Sequence, residues 1–313
     1  MTTRVYKWTD AGAPQLTGSA GSVLAILNAC LVDGYGSKSG AGWLKPFADG
    51  THIGVFQQPT GHQRIFRVDD SEHGTARVLL YSSMTDIDTG LDMTPADSVF
   101  SLGTHIRKQE TYSGASIDTA RNKEWYLVAS DKYNGFFMYV NFGDTSYNYT
   151  KGDAMYFGDI DSMYGDADVW CTVNGGAVQT TAKPRGLFNQ YSSSFAGKEY
   201  CFIKSFDGNT NSPKIVISCD DYFSYSSRPV GGYDRYPYPY NGGLVIADIL
   251  ILSEDDNKVR GRIPCAKAPA HFAPLQDNQF DEFTDSEGNE YIIFDFYVGF
   301  YHGEIFVVTS EWD

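Results

Sequence analysis

Four aspartates crowd the stretch GDIDSMYGDADVW: Asp159, Asp161, Asp166 and Asp168. Calcium is bound by several carboxylate and carbonyl oxygens at once, so these four form a candidate calcium site. Their spacing matches neither an EF-hand loop nor a nonapeptide repeat. Aspartates in glycine-rich turns also satisfy nearby backbone amides with their own side chains, and the turn is what this spacing favours. A second acidic run, FDEFTDSEGNEY from Phe280 to Tyr291, reads as a solvated hairpin tip with Gly288 and Asn289 in the turn.

Hydrolytic chemistry leaves other marks. Glycoside cleavage needs two carboxylates roughly 5 to 10 Å apart across a cleft. A chain with 39 Asp+Glu always offers such pairs, so their presence neither supports nor excludes the reaction. The six histidines, His52, His62, His73, His105, His271 and His302, form no HExxH or HxH pattern. There is no GxSxG elbow, P-loop or GxGxxG leading into a helix. Nothing ties one nucleophile to one base, so no catalytic activity and no cofactor are expected.

The third stretch is GYDRYPYPYNGGL, Gly232 to Leu244. Tyrosine faces stack on sugars or fill pockets at protein interfaces, and the prolines pre-order the loop, which lowers the entropy lost on binding. Tyr233, Arg235, Tyr236, Tyr238 and Tyr240 are the candidate contact residues, with Arg235 able to pair or stack among them. Three uses stay open: packing back onto the same domain, a protein interface, or a glycan.

The elements that must hold these residues are strands. Aromatic residues make up 15% of the chain, with 22 Tyr and 20 Phe beside 32 Gly, a composition suited to many short strands and tight turns. Strands are expected at 52–57, 63–68, 76–81, 124–130, 136–142, 200–205, 214–219, 244–252, 291–297 and 304–309. In Arg64-Ile65-Phe66-Arg67-Val68 the alternation predicts one buried and one wet face. One helix is expected over 22–33 in SVLAILNACLVDG, with Ser22 as N-cap and Gly34 as the stop. No βαβ alternation appears. The expected fold is mainly β: antiparallel sheets, sandwich-like or α+β, with one N-terminal helix. A polar, turn-rich seam at 184–196 suggests an N-terminal β-rich part, 1–185, and a C-terminal β part, 186–313, or one domain throughout.

A net charge of −15 disfavours contact with a phosphate backbone, so nucleic acid is not an expected partner. The opening residues lack the apolar core of a signal peptide, and the most apolar run, GGLVIADILIL, is cut by Asp248, so membrane insertion is not expected. The five cysteines, Cys30, Cys171, Cys201, Cys219 and Cys265, show no ligand spacing and read as reduced, buried residues of a protein made in a cytosol.

Several stretches are alike as a set: VYKWTDAGAPQLTGSAGSVLAILNACLVDGYGSKSGAGWLKPF, ASDKYNGFFMYVNFGD with KGDAMYFGDIDSM, YPYPYNGGLVIADILIL, and RGRIPCAKAPAHFAP. In this order they resemble virion structural proteins of tail or baseplate type encoded by tailed bacteriophages and prophages. The N-terminal block is the most specific. It makes sense as scaffold, with Gly34 ending the helix and Trp43 and Phe47 holding it against a sheet. The resemblance implies a tail, baseplate or fibre-attachment protein of the virion, assembled in the host cytoplasm. Its partners would be other phage virion proteins and further copies of itself in a symmetric homo-oligomer. A receptor- or glycan-binding module at the tail tip, a head or neck decoration protein, and a cell-envelope hydrolase are the alternatives.

Overall fold

A computed structural model gives the fold and describes residues 2–92, 104–107, 124–141, 152–164, 170–174, 201–204, 210–211, 214–217, 246–253, 258–269, 280–298 and 301–310. Among the described residues the architecture is antiparallel β throughout, with one short helical segment near the N-terminus.

The central sheet runs in the order Thr3–Lys7, Trp125–Ser130, Gly135–Asn141, Gly152–Asp159, Trp170–Asn174, Cys201–Lys204, Thr210–Asn211. Strands on both sides of the seam expected near residue 185 therefore share one sheet. Its middle strands are buried on both faces, which is why WYLVAS and GFFMYV are nearly continuous apolar runs. Alternation sorts their side chains between two cores. Trp125, Leu127, Phe136, Met138, Met155 and Phe157 point into one, and Tyr126, Val128, Phe137, Tyr139, Ala154 and Tyr156 into the other. A one-residue slip would exchange the two sets, so the register is strongly specified.

The first core is closed by the helical segment and by a five-stranded sheet ordered Leu44–Ala48, Ile53–Gln57, Ile65–Asp69, Thr75–Tyr81, Thr104–Arg107. Trp43 joins them, with its ring centroid 5.5 Å from those of both Phe136 and Phe157. The second core is closed by strands of the C-terminal sheet, ordered Lys214–Ile217, Ile246–Ser253, Lys258–Pro269, Tyr301–Val308, Glu290–Val298, Glu282–Thr284. There Phe294 meets Phe137 at 5.5 Å and Tyr139 at 4.6 Å. Each fully buried aromatic contributes about 1.5 to 3 kcal/mol relative to exposure, so the cores dominate stability.

Four local expectations are corrected. The helix is α only over Ser22–Leu27 and continues as a π-helix over Asn28–Asp33, where the Gly34 N–H donates to the Ala29 carbonyl. Gly34 ends it with φ 80°, as expected. Ser22 is not the cap: Gly21 holds that position and the Ser22 hydroxyl donates back to Ser19. The amides of Val23 and Leu24 instead donate to Asp70 Oδ2 at 2.8 and 3.0 Å, so a buried carboxylate on the neighbouring sheet does the capping.

Arg67 is likewise not on a wet face. The outer face of the N-terminal sheet carries Val55, Ile65, Leu79 and Tyr81, covered by Phe47, Met84 and Ile87. Arg67 threads this cover, donating to the Ile87 carbonyl at 2.8 Å and to Asp88 at 2.7 Å. Phe47 thus packs on this outer face, while Trp43 packs with the helix.

A hairpin tip forms at 284–290, but its turn is centred on Ser286 and Glu287 and not on Gly288 and Asn289: the Gly288 amide closes it on the Asp285 carbonyl, with Gly288 at φ 92°. Asp285 organises it. Slight burial opposes ionisation, but bonds from the Asn289 side chain and amide, Tyr291 and the Glu287 amide outweigh it and hold the carboxyl at about 2. Cys30 and Cys265 are buried free thiols, and burial pushes both well above the usual range.

Candidate functional site

Two clusters of polar groups lie at the margins of the central sheet. The first sits where the hairpin 57–65 of the N-terminal sheet meets the turn 131–134 of the central one. Gln58, fully buried, closes its own hairpin by accepting from the Arg64 amide at 2.9 Å. It also reaches across, donating to the Asn134 carbonyl at 2.7 Å. Asn134 adopts φ 44°, a left-handed conformation that asparagine tolerates better than most residues. Its side chain accepts from the Thr60 hydroxyl and donates to Asp159 Oδ2 at 3.4 Å.

Asp159, at the end of its strand, receives His62 Nδ1 at 3.0 Å on its other oxygen. With a carboxylate oxygen as partner, Nδ1 is the nitrogen that carries the proton. The Asp159 backbone is fixed too, its amide donating to the Tyr133 carbonyl at 2.9 Å and its carbonyl accepting from the Tyr156 hydroxyl. Between Thr60 and His62, Gly61 holds φ 64° so close to the turn that an added Cβ would lie 2.5 Å from Asn134 Nδ2.

An aspartate that orients a histidine is the second half of a nucleophile–base–acid constellation. The first half is not assembled among the described residues: the neighbouring hydroxyl, Thr60, donates to Asn134. What this geometry does is fix one hairpin on another. The partly exposed His62–Asp159 pair adds modestly to that fixation, by about 0.2 to 1 kcal/mol.

A second cluster ties the central sheet to the C-terminal one. Asp161 and Ser162 leave the central sheet and pair with Arg262 and Gly261. Arg262 Nε donates to Asp161 at 2.6 Å, its Nη1 to Asp248 at 3.2 Å, and Lys267 also bonds Asp248. Burial opposes the charge of Asp248, but Lys267 and Arg262 overcome it and lower its carboxyl below the usual range. Burial likewise opposes the charge of Arg262, and its two carboxylate partners raise it. The residue that interrupts GGLVIADILIL is therefore a paired charge in the C-terminal sheet, opposite Lys267 on the neighbouring strand.

Of the four aspartates singled out from sequence, Asp159 and Asp161 turn to different partners, His62 and Arg262. Asp166 and Asp168 lie outside the described residues, as do Tyr233, Arg235, Tyr236, Tyr238 and Tyr240. Among the described residues no group of three or more His, Cys, Asp or Glu side chains is placed to hold a metal ion, and no helix is long and apolar enough to cross a membrane. The partners that sequence reasoning missed, His62, Asn134 and Arg262, lie 97, 25 and 101 residues from the aspartates they bond. No local pattern announces a pairing at such separations. No protein-family model matches the chain, and no curated protein or solved structure does either.

Proposed function

We propose that this chain is a structural component of a tailed-bacteriophage virion, of the tail, baseplate or fibre-attachment class. It acts through protein–protein contacts with copies of itself and with other particle proteins, without catalysis or an obligatory cofactor. The observation that carries this reading is where the most specific phage-like stretch falls. Residues 5–47 supply the helix, its π-helical turn, the Gly34 stop and Trp43, all of which join two layers of the fold. The described charged clusters act in the same sense, fastening sheet to sheet. A rigid layered body of this kind suits a part that must hold its shape under load, and a strong negative charge keeps free subunits apart before assembly.

The test is the particle itself. Virions purified from cells induced for a phage encoding this chain should contain it in fixed stoichiometry by mass spectrometry, and cryo-electron microscopy should place its three-layered body in a symmetric ring or shell. Particles that lack the chain would overturn the proposal.

A further inference from the structure

The strand Thr3–Lys7 ends the central sheet on one side. Residues flanking it show which backbone groups face inward: the Thr2 carbonyl accepts from Asp131 at 3.3 Å, and the Trp8 amide donates to Trp125 at 3.1 Å. Alternation along an antiparallel ladder then turns the backbone groups of Val5 and Lys7 outward, where a further strand would bond. Three of these four groups are already taken. Lys38 Nζ donates to the Val5 carbonyl at 2.7 Å, and Asp10 Oδ2 accepts from the Lys7 amide at 2.9 Å. The Lys7 carbonyl accepts from the Asp10 amide at 3.0 Å. Lys38 and Asp10 are joined to each other at 2.6 Å. An ammonium stands where a neighbouring strand would present N–H, and a carboxylate stands where it would present C=O.

The segment carrying Lys38 is built to lie there. Tyr35 and Lys38 exchange backbone bonds of 2.9 and 2.8 Å across a tight turn, and the Tyr35 hydroxyl donates to Asp10 at 2.8 Å. The Tyr6 hydroxyl reaches the Ser39 carbonyl at 2.7 Å. Gly36, at φ 56°, presses so near the 10–13 turn that a Cβ would lie 2.2 Å from the Ala11 carbonyl oxygen. The Lys38 side chain is nevertheless 34% exposed, so its end of the plug faces solvent.

We propose that the Asp10–Lys38 pair is a surrogate strand that holds this edge of the central sheet closed, and that removing it admits a second copy of the chain by strand addition at the Val5 carbonyl and the Lys7 amide. Unpaired edges are ready templates for such addition, and proteins block them with charged side chains. The second copy is the occupant because Thr3–Lys7 is self-complementary. A two-fold axis at Val5 sets Thr3 opposite Lys7 and Arg4 opposite Tyr6, so no like charges face one another.

The test removes both plugs with Asp10→Ala and Lys38→Ala together. The folded double variant should show roughly twice the wild-type mass by light scattering, and its Lys7 amide should gain hydrogen-exchange protection as concentration rises. A variant that keeps the wild-type mass, with a Lys7 amide that exchanges fast at every concentration, overturns the proposal. Adding Val5→Pro removes an outward N–H and no inward bond, so it should return the double variant to the wild-type mass. Association that survives the proline uses another surface and also overturns it. If the double variant does not fold, Lys38→Ala alone frees the Val5 carbonyl and is read the same way. Failure of both to fold would make the pair a requirement of the fold instead of a plug on its edge.

Discussion

The middle of the central sheet and its margins are held by different physics. In the middle, Phe136 and Phe137 are adjacent in sequence and both fully buried, yet they fill different cores. Alternation along the strand achieves that. At the margins, position is set by polar contacts between residues far apart in the chain: Gln58 with Asn134, His62 with Asp159, Asp161 with Arg262. The interior therefore supplies most of the stability, and the margins determine how neighbouring sheets are fastened. The comparison breaks first if the two cores are unequal. Phe136→Ala and Phe137→Ala should each cost about 3 to 5 kcal/mol in chemical denaturation. A loss below about 1 kcal/mol for either would mean that its face is not a filled core.

At the margins the costs should be smaller and set by geometry. Gly61→Ala meets both an unfavourable backbone angle and the Asn134 side chain, and should cost about 2 to 3 kcal/mol. Gly50 has a similar φ of 84° but open space around it, so Gly50→Ala should cost about 1 kcal/mol, the backbone penalty alone. Equal losses would show that the hairpin is not seated tightly on the 131–134 turn. Asp70→Ala removes the acceptor for two helix amides and should cost about 1 to 2 kcal/mol, with hydrogen exchange accelerated at Val23 and Leu24.

The same division explains what could be read from the sequence. Strands such as Ile65–Asp69, Trp125–Ser130 and Gly135–Asn141 announce themselves because burial on one or both faces demands apolar, β-branched or aromatic side chains. Leu44–Ala48 and Lys258–Pro269 escape that reading. The first carries Pro46 at a sheet edge, and the second, KVRGRIPCAKAP, mixes charges and prolines into a strand whose Arg262 and Lys267 serve ion pairs. Gly152–Asp159 hides for another reason: glycines and aspartates at both ends resemble a turn, although its middle residues are buried. At the margins the aspartates were visible as chemistry and their partners were not. A local window sees Asp159 but not the His62 ring that folding brings to it.

The smallest effect separates the two regions most cleanly, because pH acts on the margins and leaves the apolar interior alone. Burial opposes ionisation of Asp10, but bonds from Lys38, the Lys7 amide and Tyr35 outweigh it, so its folded carboxyl titrates below its unfolded value, as does that of Asp248. A carboxyl lowered on folding stabilises the protein fully above the unfolded value of about 4. That contribution is lost as pH falls through the folded value. Stability measured by denaturation should therefore hold steady from neutral pH to about 5 as far as these two groups are concerned, and decline below about 4. Phe136→Ala should lower the whole curve and leave its acid limb as steep as in the wild type. Asp248→Asn should lower it only above about pH 4 and make the acid limb shallower, because one of the protons taken up on unfolding is gone. If the two variants gave parallel curves, the Asp248, Arg262 and Lys267 cluster would contribute nothing through its charges, and the sheets would be fastened at that margin by packing alone.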